Sequence, residues 1–180
     1  MIKQFALSLL LLAGLAIALP AASKEPYNMV DRLVAAQRGL LAPSEEKADP
    51  QALARAIASA SKGDRILAAA MLATAYVETA LSDRLRRNEC RPKECDRGRA
   101  WGIFQIHKDA YTANTWGSPD VDVQSTAAAR KMKSAFYKAK NAHAPFPEGM
   151  FRAYGGRRVD SSVPREALRV STFNQVLGHL

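Results

Sequence analysis

The sequence predicts a mainly α fold with one small extended or hairpin region. Three observations carry that prediction. Apolar and alanine-rich stretches such as "RILAAAMLATAYVE" and "STAAARKMKSAFYKAK" are long enough for helices and lack internal Gly or Pro. The breaks between such stretches fall on Gly, Pro and capping Asp residues. One apolar stretch, "AWGIFQIH" at 100–107, is too short and too glycine-marked for a helix and reads as extended.

The elements follow in order. Residues 1–23 carry Lys3, an apolar run from Phe5 to Leu19, then Pro20 and small residues to Ser23. That layout predicts a cleaved secretory signal peptide. A membrane anchor is the alternative, but the run falls short of the ~20 apolar residues a spanning helix needs. The expected location is therefore periplasmic or secreted, with no stable membrane insertion once the signal is removed. Residues 24–63 form an N-terminal helical segment packed on the main domain. It holds one helix in "YNMVDRLVAAQRGLL", a polar connector "PSEEKADP", and a second helix "PQALARAIASAS" with Pro50 in its first turn and Gly63 at its end. Residues 64–180 form the main domain. Asp64 caps a third helix expected to run from Arg65 to about Leu85. On it Leu67, Met71, Thr74, Glu78 and Leu81 share one stripe. A charged loop "RRNECRPKECDRG" precedes the extended stretch, and "TWGSPDVD" is turn-rich. A basic helix is expected from Val123 to Asn141, a short one in "MFRAYGG" stopped by Gly155 and Gly156, and a terminal one from Pro164 to Leu177.

The formal charge is +9, and removing residues 1–23 lowers it by one. A basic exported protein is drawn to anionic surfaces, among them cell-wall polymers, acidic lipids and nucleic acid. Charge alone does not choose between them, but basic residues spread over several helices of an exported chain argue against nucleic acid. Cys90 and Cys95 are the two cysteines. An oxidising compartment favours a disulfide between them. A zinc site would need further ligands from His107, His143 or His179, and free thiols are the third reading.

Three pieces stand out together: Glu78-Thr79 at the end of the apolar helix, Gly102-Ile103-Phe104-Gln105-Ile106 after the polar loop, and Ala153-Tyr154-Gly155-Gly156 further on. In these the chain resembles the lysozyme-like superfamily, and within it the soluble lytic transglycosylase domains. Those domains carry Glu-Ser at a helix end, then Gly-x-x-Gln-(Ile/Leu), then Ala-Tyr-Asn-x-Gly. The likeness spans roughly residues 64–177. Thr79 departs from the serine but keeps the hydroxyl. Gly155 stands where the family has asparagine, and the loop between Glu78 and Gly102 is long and carries the cysteine pair.

The resemblance implies an α+β lysozyme-like fold, with the hairpin beside an active-site cleft. It implies cleavage of the β-1,4 bond between N-acetylmuramic acid and N-acetylglucosamine in peptidoglycan. The glycan strands would be the partner, the protein monomeric, and cofactor and metal unneeded. Glu78 would be the catalytic acid and then base, giving 1,6-anhydromuramic ends. Thr79, Gly102, Phe104, Gln105, Ile106 and Tyr154 would bind substrate. Physical chemistry supports the choice of Glu78. An exposed glutamate is almost fully ionised at neutral pH, whereas apolar neighbours penalise the charged form. Beside Met71, Val77 and Leu81, Glu78 is expected to keep its proton. The competing reading is a surface glutamate paired with Arg84, Arg86 or Arg87. Glycosidases usually use two carboxylates. A hydrolytic muramidase would need a second one from Asp96, Asp83 or Asp109, with Asp96 best placed. A non-catalytic wall-binding protein working with cell-envelope assembly partners is the reading from another class.

Overall fold

The computed structural model describes residues 28–40, 47–91, 95, 98–108, 115–156 and 164–180. The expected signal peptide, Asp96 and Asp109 lie outside the described residues. The architecture is mainly helical with a small antiparallel hairpin, as the sequence predicts.

Helix α1 covers Met29–Leu40 and α2 covers Pro50–Ser61. Asp49 caps α2 by accepting from the Gln51 amide, and Pro50 occupies a position whose amide would lack a helical partner anyway. Lys62, in the left-handed region, ends α2, and Gly63 follows at φ +78°. Asp64 then caps α3, Arg65–Thr79, by accepting from Leu67 N–H.

The third helix is shorter than expected. Ala80 and Leu81 both take left-handed backbone, with φ +49° and +60°. The turn is held from a distant part of the chain: Ala48 N–H donates to the Leu81 carbonyl at 2.9 Å, and Lys47 Nζ to the Ala80 carbonyl at 3.0 Å. A separate short helix, α4, Asp83–Arg86, follows. Leu81 still reaches the core, but from this turn and not from the helix stripe.

Strands β1, Ala100–Trp101, and β2, Ile106–His107, pair with Ala100 opposite His107 and Trp101 opposite Ile106. Helix α5 runs Val121–Asn141, capped by Asp120; α6 is Glu148–Tyr154; α7 is Pro164–His179. Helix α3 is apolar on nearly all sides because it is the central one, packed by α1, α2, α5 and α7. Leu33 and Ile57 from the N-terminal helices join Met71, Leu72, Phe104, Met132, Phe151 and Phe173 in one continuous core.

Candidate functional site

Glu78 sits one residue before the end of α3, at the surface end of the central helix. Its side chain is 13% exposed. The sequence places apolar residues around it, but the fold brings arginines. Arg169 of α7 donates from Nη2 to one carboxylate oxygen, and Arg165 Nη1 lies 3.8 Å from the other. The expected protonated carboxyl in an apolar setting is thus replaced, in this arrangement, by an ion pair. The partners differ from the nearby arginines considered above. Arg86 and Arg87 bind Asp83 instead, and Arg84 donates to the Glu89 carbonyl.

The two arginines act differently. Arg169 is 9% exposed, and its Nε is buried without a partner among the described residues. Arg165 has a side chain 72% exposed. A solvated pair is screened and weak, whereas removing one partner of a buried pair strands the other charge. Arg169→Met is expected to lower stability by about 2–4 kcal/mol, and Arg165→Met by less than ~0.5 kcal/mol. Urea denaturation midpoints of the two variants check this. A second, part-buried pair joins α6 to α7: Arg152 Nε donates to Glu166 at 2.5 Å.

Thr79 is buried. Its hydroxyl lies 2.8 Å from the Ala75 carbonyl and 3.1 Å from the Ile103 carbonyl, so it ties the end of α3 to the hairpin turn. Tyr154 is buried too, and its hydroxyl donates to the Phe104 carbonyl at 3.2 Å rather than to Glu78. Phe104 and Ile106 are fully buried. These four residues, expected to contact substrate, are buried in this structure, where they face the core and position the turn. Phe104 and Ile106 face inward because their stretch folds as a tight turn on the core, and Thr79 and Tyr154 reach that turn from the ends of α3 and α6.

That turn has its own support. Gly102 has φ +72°, a conformation glycine adopts at little cost. A Cβ there would stand 2.5 Å from the Gln124 side chain. Gln124 of α5, 1% exposed, accepts from Ile103 N–H at 2.9 Å and donates to the carbonyls of Arg86 and Ser118, each at 2.8 Å. Asn88 accepts from Gly102 N–H at 2.8 Å and donates to the Gly117 carbonyl at 2.7 Å. Gln105, half-buried with φ +46°, donates to the Gly102 carbonyl at 3.0 Å and reaches Cys95 Sγ at 3.3 Å. Of the expected binding residues, Gln105 is the one that is not fully buried. Sequence reading missed Gln124, Asn88, Arg169 and Glu166. The signal available for Gln124 was a polar residue at a core-facing position of α5.

Cys90 and Cys95 are joined in a disulfide with their Cα atoms 5.9 Å apart. Beside it is a cavity of about 330 Å³, lined in part by Asn88, Arg91, Ala100 and Trp101. That volume lies in the range of small-ligand sites. Trp101 donates to the Gly98 carbonyl at 2.9 Å and packs edge-on against Trp116, with ring centroids 5.4 Å apart. Glu78 does not line this cavity. Among the described residues no cluster of His, Cys, Asp and Glu gathers to hold a metal ion.

Comparison with known proteins gives no match to any family model, curated protein or solved structure.

Proposed function

We propose that this protein cleaves the glycan strands of peptidoglycan as a lytic transglycosylase, with Glu78 as its acid and base. One observation carries the reading. The three motif pieces, distant in sequence, are hydrogen-bonded into one assembly. Thr79, next to Glu78, bonds the Ile103 carbonyl, and Tyr154 bonds the Phe104 carbonyl of the same turn.

The chemistry runs on a single carboxyl group. Glu78, released from Arg169 and protonated, gives its proton to the glycosidic oxygen as the C1–O bond breaks. The N-acetyl group of the muramic ring supports the positive charge at C1. The Glu78 carboxylate then takes the proton of the 6-hydroxyl, whose oxygen closes on C1. Water is neither consumed nor released. A guanidinium held on Glu78 keeps it in the carboxylate form, which opposes both its protonation before the first half and its uptake of the 6-hydroxyl proton in the second, so the ion pair represents a resting arrangement. Such a cycle needs no second carboxylate. Asp83 and Glu166 are both engaged by arginines. Basic charge suits an anionic wall polymer, and export to the periplasm or beyond completes the proposal.

The buried Glu78–Arg169 pair favours a second reading. In it Glu78 only ties α3 to α7, and the protein binds wall glycan without cutting it. Incubating purified peptidoglycan with the protein and weighing the released muropeptides separates the two. Anhydromuramic ends support the transglycosylase. Reducing muramic ends point to a hydrolase using Asp96 or Asp109. No release from folded protein, with glycan still bound, favours the binding protein.

A further inference from the structure

The C-terminal half of α5 and the segment after it expose aromatic rings beside cations. Phe136, Tyr137 and Phe146 are 39%, 62% and 45% exposed. They form one patch: Phe136 lies 5.8 Å from Tyr137 and 6.0 Å from Phe146, ring centroid to ring centroid. Phe146 in turn meets the buried Phe173 at 5.7 Å, which anchors the patch on the core. Three exposed cations share the stripe with it. Arg130, Lys133, Phe136, Tyr137 and Lys140 recur at spacings of three and four, so they project from one side of α5. Between Asp122 and Glu148 the chain has no acidic residue.

We propose that this face docks on the surface of an anionic lipid bilayer. Charge complementarity and the kind of apolar group exposed both select that occupant. Cations at this density are attracted to anionic headgroups. Phe and Tyr rings beside them gain by entering the boundary between headgroups and acyl chains. A solvated helix face would carry the cations without three exposed rings among them. The mode is peripheral, since no described helix is long and apolar enough to cross a membrane. The inference is independent of any role for Glu78. It would hold the protein against a membrane while its other faces remain free to meet a polymer.

The test is sedimentation of the full chain with vesicles of phosphatidylcholine alone, or of equal parts phosphatidylcholine and phosphatidylglycerol. Two variants accompany it, Lys133→Glu/Lys140→Glu and Phe136→Ser/Tyr137→Ser/Phe146→Ser, with circular dichroism and melting curves to establish folding. All share the apolar run Phe5–Leu19, so that run contributes equally to each. The expected result is binding to anionic vesicles that weakens with salt and falls at least about tenfold in the folded charge variant. The aromatic variant, if it melts early, is replaced by Tyr137→Ser alone, which alters the most exposed ring and is expected to weaken binding as well. Equal binding to both vesicle types, unchanged binding in the charge variant, or capture by wall polymer or nucleic acid without vesicle binding would each overturn the proposal.

Discussion

Glu78→Gln is expected to lower the rate of peptidoglycan cleavage by about 10²- to 10⁴-fold, the usual contribution of a positioned general acid and base. The amide cannot donate a carboxyl proton or accept one from the 6-hydroxyl. It can still accept from Arg169 through its carbonyl oxygen, in place of the carboxylate oxygen that does so now. The Arg169 charge loses its counter-charge but keeps a hydrogen-bond acceptor, so the fold should survive at a cost of about 1–3 kcal/mol. Glycan binding should persist as well. Rate and binding measured on the same preparation check this. Loss of both together would mean that the substitution damaged the fold rather than the chemistry.

Gln124→Ala is expected to cost about 2–4 kcal/mol of stability, the price of several hydrogen-bonding groups losing one shared partner. The Ile103 amide and the carbonyls of Arg86 and Ser118 all converge on this one buried side chain. No water replaces the amide easily at a position 1% exposed. Gln124→Glu is informative beside it. It keeps the acceptor for Ile103 but sets a carboxylate against two carbonyl oxygens, so it is expected to destabilise as well. Because Gln124 holds the turn that Thr79 and Tyr154 also hold, both variants should lose activity through a loosened site. Thermal or urea unfolding reads the first effect and muropeptide release the second. A Gln124→Ala protein as stable as wild type would show that the turn is held by other contacts.

The helices were largely legible because their limits are set locally. Asp49, Pro50 and Gly63 bound α2, and Asp64 starts α3, through contacts within a few residues. The end of α3 was not legible. Nothing local stops a helix at Ala80-Leu81, and the stop depends on Lys47 and Ala48, more than thirty residues earlier. The hairpin was visible as an extended stretch, but not the direction of its side chains. Period-two reasoning fails over a four-residue turn in which Gly102 and Gln105 both take positive φ.

The candidate site divides in the same way. Glu78 was conspicuous as the single carboxylate in an apolar run. Its environment was not, because Arg169 is 91 residues away in the chain. Arg169 follows Glu166 at helical spacing on α7, with Thr172, Phe173 and Val176 continuing a face that proves buried. An arginine on such a face reads as solvated until a partner is seen. Thr79 and Tyr154 were found through their motifs, yet their hydroxyls turn inward to backbone carbonyls that no sequence pattern marks.

The most direct test of the central claim is digestion of peptidoglycan in ¹⁸O-labelled water, with wild-type and Glu78→Gln protein side by side and the new sugar ends weighed. The account predicts anhydromuramic ends without ¹⁸O from the wild type and none from the variant. Label in every new end, or the same ends from both proteins, would contradict it.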